Sequence, residues 1–196
     1  MEHLPDEITL SLSFLKKQKA CTGLPEEQLV KMCEEAIAIG ASHAGKYRDR
    51  DIYKALKEYK VKAEMSEGGV YGSRLVRAQY DDSVKTVFLY KAGVDSMVDT
   101  GAGTLLGVEN TEDKMREILL WHEFFHVLEF KVIGLVGKRF PLPQKVLCFN
   151  VNKPFYPISE ICANAFAMRV MGLKHNPFII DHLLHNSEAA QTGKEE

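Results

Sequence analysis

Leu119-Leu120-Trp121-His122-Glu123-Phe124-Phe125-His126-Val127-Leu128 is the stretch from which the rest of this 196-residue chain can be read. Its two histidines stand four apart, and a helix puts such residues on one face, so both imidazoles can grip a single metal ion. Glu123 completes the HExxH spacing of metal-dependent hydrolases, in which that carboxylate acts as a general base toward water. The same pentapeptide also fits a pair of histidines hydrogen-bonded in a core. A third ligand elsewhere in the chain is what separates the two.

Met115, Ile118, Leu119, Leu120, Trp121, Phe124, Phe125, Val127 and Leu128 surround the motif on most sides, which predicts a helix buried at the domain centre. Asn110 or Thr111 can cap it, Glu112 and Asp113 suit its first turn, and the spacing runs to about Phe130. The next well-defined helix, Ile158 to Met171 with a stop at Gly172, carries Glu160 in its first turn. A carboxylate is favoured there, Ala163 and Ala167 on the same face let two helices approach closely, and an acid in an otherwise apolar helix needs a partner. Pairing with Arg169 or Lys153 is the alternative to metal. The expected set is His122, His126 and Glu160 around one Zn2+, three protein ligands with a fourth position open, and Glu123 as catalytic base. Asn164, one turn after Glu160, is a candidate to support a ligand by hydrogen bonding. Tyr156, Tyr90, His175, His182 and His185 are candidate donors to a developing oxyanion, and nothing in the sequence chooses between them.

Upstream, Pro5-Asp6-Glu7 and Leu24-Pro25-Glu26-Glu27 read as helix starts. The first helix runs to about Lys19, and the second is stopped by Gly40. Residues 1–46 form a helical extension packed on a main domain of residues 47–186, followed by a flexible polar tail at 187–196. A helix-turn-helix reading of the extension lacks a basic recognition face. Ile52, Leu56 and Tyr59 suggest a short helix, and Val61, Ala63 and Met65 alternate as on a strand. Leu75 to Tyr80 and Val84 to Tyr90 read as strands joined at Asp81-Asp82-Ser83, giving a small, mainly antiparallel sheet in an α+β domain. Lys91 to Asn110, with four glycines, reads as a long loop that is functional or mobile. Val132 to Pro157 reads as mostly loop, with a short strand at Val146 to Val151, and a last helix runs from Asn176-Pro177 to about His185.

A net charge of -2 and a pI near 6.4 offer no global basic field, so direct nucleic-acid binding is not expected. Cys21, Cys33, Cys148 and Cys162 form no CxxC pair, the acidic N-terminus lacks a signal-peptide layout, and no apolar run approaches the roughly 20 residues of a membrane span. A cytoplasmic protein with reduced thiols and no membrane association is the expectation.

HEFFH followed by Glu160-x-x-Ala163-Asn164-x-Phe166-Ala167 resembles the ImmA/IrrE family of metallopeptidases, whose members pair HExxH with a downstream ExxANxFA helix. The resemblance spans Asp51 to Met171. It implies a zincin-like fold of the glutamate type, with His122, His126 and Glu160 as ligands and Glu123 as catalyst, and it implies regulated cleavage of a DNA-binding transcriptional repressor. The expected function is a zinc-dependent peptidase acting on a specific intracellular protein, laid as an added strand along Val84 to Tyr90. The alternative is a catalytically weak sensor or protein-binding module, against which the retained Glu123 counts.

Overall fold

Capping chemistry starts the chain: Asp6 accepts a hydrogen bond from the Thr9 N–H at 2.7 Å and opens α1 (Glu7–Lys16). The computed structural model describes residues 4–72, 74–146 and 149–182. After α1 come α2 (Glu26–Ala44), α3 (Ile52–Glu58), β1 (Lys62–Ser66), the two-residue strands β2 (Val70–Tyr71) and β3 (Arg74–Leu75), β4 (Ala78–Asp81) and β5 (Thr86–Tyr90). The second half runs α4 (Lys91–Asp99), α5 (Ala102–Leu106), α6 (Glu112–Leu128), β6 (Pro141–Val146), β7 (Phe149–Pro154) and α7 (Ile158–Met171).

The fold is α+β, with a three-stranded sheet in the order β1-β5-β4. β5 pairs parallel with β1 and antiparallel with β4, so the sheet is mixed and not mainly antiparallel. Parallel neighbours need a crossover, and the chain between β1 and β5 supplies it through the β2–β3 ribbon and β4. This order also corrects the expected edge. β5 lies in the middle, with Thr86, Val87, Leu89 and Tyr90 all buried, and β4 is the edge strand that lies over α6.

Two further expectations fail because glycine was read only as a breaker. Residues 91–110 are not one long loop but α4 and α5, with Gly101 at φ 69 and Gly107 at φ 81 capping the two ends of α5 in the left-handed region. Gly40 does not stop α2, which continues to Ala44. A methyl group on Gly40 would stand 2.2 Å from the carbonyl oxygen of Cys162 and 3.1 Å from Ala165 Cβ, so this glycine is where α2 and α7 touch. The region 132–157 is also more ordered than expected. A π-helical turn (Glu129–Ile133) and a 3-10 turn (Val136–Arg139) lead into the β6–β7 ribbon, where both strands are edges and proline is tolerated.

α6 is capped by Thr111 and runs through the middle of one continuous core. Trp121, Phe124, Phe125 and Phe166 are fully buried, with Trp121 edge-on to Phe124 at 5.6 Å and Tyr47 edge-on to Phe124 at 5.0 Å. α7 is buried on nearly every side and ends at Gly172 as expected. Arg169 does not pair with Glu160, because Glu7 takes its guanidinium at 2.5 and 2.7 Å. Asn176 accepts from the Phe178 N–H at 3.0 Å and opens the last helix. Its end near His185, the tail at 187–196 and Cys148 lie outside the described residues, among which Cys21, Cys33 and Cys162 are buried free thiols. No described helix is long and apolar enough to cross a membrane.

The α2–α7 contact is testable through two glycines of one helix end. Gly40→Ala overpacks the contact and is expected to cost about 1–3 kcal/mol, lowering the melting temperature by roughly 3–10 °C for a chain of this size. Gly45→Ala, where the added methyl meets nothing within 4 Å, leaves the melting temperature unchanged or slightly higher in the same calorimetric scan.

Candidate metal centre

α6 places His122 and His126 one turn apart, and the first turn of α7 brings Glu160 against both. His122 Nε2 lies 3.2 Å from Glu160 Oε2, and His126 Nε2 lies 3.5 Å from Glu160 Oε1. The three donor atoms fall within 4.8 Å of one another. The imidazoles are about 15 % exposed and the Glu160 side chain 44 %, so the cluster opens on one side into a cleft of about 700 Å³. Ala163 and Ala167, one and two turns after Glu160 on α7, are fully buried, and side chains this small let two helices approach closely.

Each histidine has its other ring nitrogen occupied. Asn164 donates from Nδ2 to the Glu160 carbonyl at 3.1 Å, which turns its Oδ1 toward His122 Nδ1 at 3.2 Å. Asn164 therefore fixes the His122 ring with Nε2 facing Glu160, the atom that a metal would take. His126 Nδ1 donates to Glu129 Oε2 at 2.9 Å, and the Ser159 hydroxyl donates to the same oxygen. Glu129 Oε1 accepts from the Val136 N–H at 2.9 Å, so this 4 % exposed carboxylate is fully satisfied. Sequence reasoning missed Glu129 and Ser159. The signal was there: Glu129 is an acid three residues after His126 at the end of an apolar helix, and Ser159 adjoins Glu160.

The charges follow from these contacts. Burial alone would lower the His126 imidazole, but Glu129, Glu160 and Glu123 outweigh it and raise its pKa to about 9. His122 is also raised, burial being overcome chiefly by Glu160. Burial would raise Glu160, yet the hydrogen bond from His122 and the two imidazoles bring it down to about 2. Glu129 is lowered in the same way, burial being outweighed by His126 and Ser159.

Glu123 lines the same cleft, 6 % exposed, and its Oε2 accepts from the backbone N–H of Tyr80 in β4 at 2.8 Å. The other candidate donors among the described residues do not line this cleft. Tyr156 is 52 % exposed, with its backbone against Gly137, and Tyr90 is buried and bonded to Tyr71. His182 lines a smaller neighbouring cavity with Phe14 and Asp181, His175 does not line the main cleft as described, and His185 lies outside the described residues.

No family model, curated protein or solved structure matches this chain. The site therefore has to be judged on its own chemistry. Two imidazoles and one carboxylate make a donor set that suits a divalent metal such as zinc once the imidazole protons are displaced, and both Nδ1 atoms are engaged so that both Nε2 atoms converge on the Glu160 carboxylate. The three residues lie close enough together to hold a metal ion.

Two measurements check this. In chelator-stripped protein His126 holds a proton up to about pH 9, and a metal must displace it. Zinc affinity is therefore highest above that value and weakens as pH falls, by about tenfold per unit for each proton released. Calorimetric titration from pH 9 to 6 reads the slope. Glu129→Ala should weaken zinc binding by about 10- to 100-fold at constant pH through loss of the His126 anchor.

Proposed function

We propose that this chain is a zinc-dependent peptidase with a zincin-like site of the ImmA/IrrE kind, acting on an extended segment of a specific protein. The observation that carries the reading is the convergence of His122, His126 and Glu160 beside Glu123 in one cleft beneath an edge strand. The likeness of HEFFH and of the Glu160 to Ala167 segment to that family's two motifs supports a regulated intracellular substrate, such as a DNA-binding repressor.

Zinc, when held by the three ligands, lowers the pKa of water and polarises a carbonyl. The chain's own residues do the rest. Glu123 is fixed at Oε2 by the Tyr80 N–H, which leaves Oε1 to take a proton from the attacking water and pass it to the leaving amine. Asn164 and Glu129 keep both imidazoles in the orientation the ion requires.

Strand parity supports a place for the substrate along β4. The Tyr90 N–H donates to the Arg77 carbonyl at 2.9 Å, so residues 77, 79 and 81 bond inward to β5. Ala78 and Tyr80 then point their backbone groups off the sheet edge, over the cleft. The Tyr80 N–H is taken by Glu123, which leaves the Ala78 N–H and C=O and the Tyr80 C=O to pair with an added strand. β4 replaces the stretch 84–90 as the substrate edge.

Zinc-loaded protein incubated with a denatured protein mixture tests the reading. Cleavage by the wild type is expected, and Glu123→Gln, carrying the same zinc content, should be slower by about 10²- to 10⁴-fold. Equal inactivity of both proteins toward unfolded substrates and candidate repressors would turn the reading to a binding module.

A further inference from the structure

The cleft does not end at the triad. From His122 and Glu123 it continues one helical turn back along α6 to Ile118 and Leu119, which stand four residues before them on the same face. Met97 of α4 closes this part from one side, and Phe178 and Ile180 of the last helix close it from another. All five side chains are buried.

The charged side chains near this end are Arg77 and Asp181, and they neutralise each other through an Nη2–Oδ1 contact of 2.7 Å. Arg77 is the less exposed partner, 19 % against 47 %, because its stem lies against Gly93. A charged ligand group entering beyond the pair would be desolvated without a partner, whereas an apolar group would replace water against apolar walls.

The N-terminal helices bear on this end of the cleft too. Glu7 in the first turn of α1 receives Arg169 and, at 3.0 Å, Asn176 Nδ2, which fixes α1 beside the last helix. Phe14 of α1 then stacks on Phe178 at 4.8 Å and lines the cleft behind it.

We propose that the cleft beyond His122 is a side-chain subsite for a bulky aliphatic or aromatic residue next to the cleaved bond, walled by α4, α6 and the last helix and backed by α1. The proposal rests on the peptidase reading and names the class of residue that the substrate presents. The free backbone groups of Ala78 run along the same wall, so a peptide paired with β4 has a side chain at hand to fill the subsite.

Binding of small hydroxamates to the zinc-loaded full chain tests it without any turnover. A series bearing methyl, isobutyl, benzyl, carboxyethyl or aminobutyl side chains shares one zinc-binding group and differs only in what enters the subsite. The isobutyl and benzyl compounds are expected to bind roughly tenfold or more tightly than the methyl compound, from burial of about three further carbons in the first and about six in the second. The two charged compounds should gain nothing over methyl. Ile180→Trp fills the subsite and should abolish the preference for isobutyl and benzyl over methyl. If that variant does not fold, Ile180→Ala should instead shift the preference from isobutyl toward benzyl. Equal binding across the series, or tightest binding of a charged compound, overturns the subsite and leaves the metal cleft standing. No binding of any hydroxamate to stoichiometrically zinc-loaded protein overturns the cleft reading and the subsite together.

Discussion

The close seating of α7 against α6 is the constraint on which the rest of the molecule depends. Glu160 can meet two histidines on another helix only if the helix surfaces between them carry almost no bulk, and Ala163 and Ala167 meet that condition. The demand extends to the other side of α7, where Gly40 of α2 lies against the Cys162 carbonyl. α7 is held between two helices with no room to shift. This explains why the segment has apolar or small residues on nearly every face, a pattern with no amphipathic stripe, and why its polar members are few and committed. Ser159, Glu160 and Asn164 all point to the same pair of histidines.

Three carboxylates share this small region, and their surroundings give them different work. Glu129 is deepest, with a histidine, a serine and a backbone N–H satisfying its two oxygens, so it stays ionised and anchors His126. Glu160 is held ionised by the imidazoles yet opens to the cleft, which suits a ligand. Glu123 has one oxygen held by the sheet and stands between the ligand histidines in sequence, which suits a base. Holding Glu129 and Glu160 ionised side by side is costly unless each is paired, and the raised pKa of both histidines is the counterpart of that pairing. A divalent cation would take over the balancing role from the protons.

Much of this was legible in the chain. Helical spacing around HEFFH located α6, and a lone acid in an apolar helix located Glu160, because burial of an unpartnered charge is improbable whatever the fold. The same argument applied to Glu129, an acid three residues after His126 on an apolar helix, would have found it. Strand order was not legible: alternation shows that a strand has two faces, not which neighbours it takes, so β5 was misread as an edge. The glycines misled for a related reason. Gly40 is defined by an atom 122 residues away, the Cys162 carbonyl, and no local pattern distinguishes such a contact from a helix stop.

The Tyr80 contact joins the two halves of the fold at the place where chemistry is proposed. An edge strand in a protein is ordinarily a hazard, since its unpaired groups invite any other chain to add to it. Here the edge is four residues long, and Glu123 occupies one of its outward N–H groups. That leaves room for a short pairing centred on Ala78, which is too little backbone to hold a peptide without help from side-chain contacts. For the extended substrate proposed above, affinity would then come largely from what its side chains meet in the cleft. The aromatic pair Tyr80 and Phe130 stands at one end, at 5.9 Å, and the buried apolar group around Ile118 at the other. A short edge with a shaped cleft beneath it favours recognition of particular sequences over general strand capture, which is what a peptidase confined to one protein target requires.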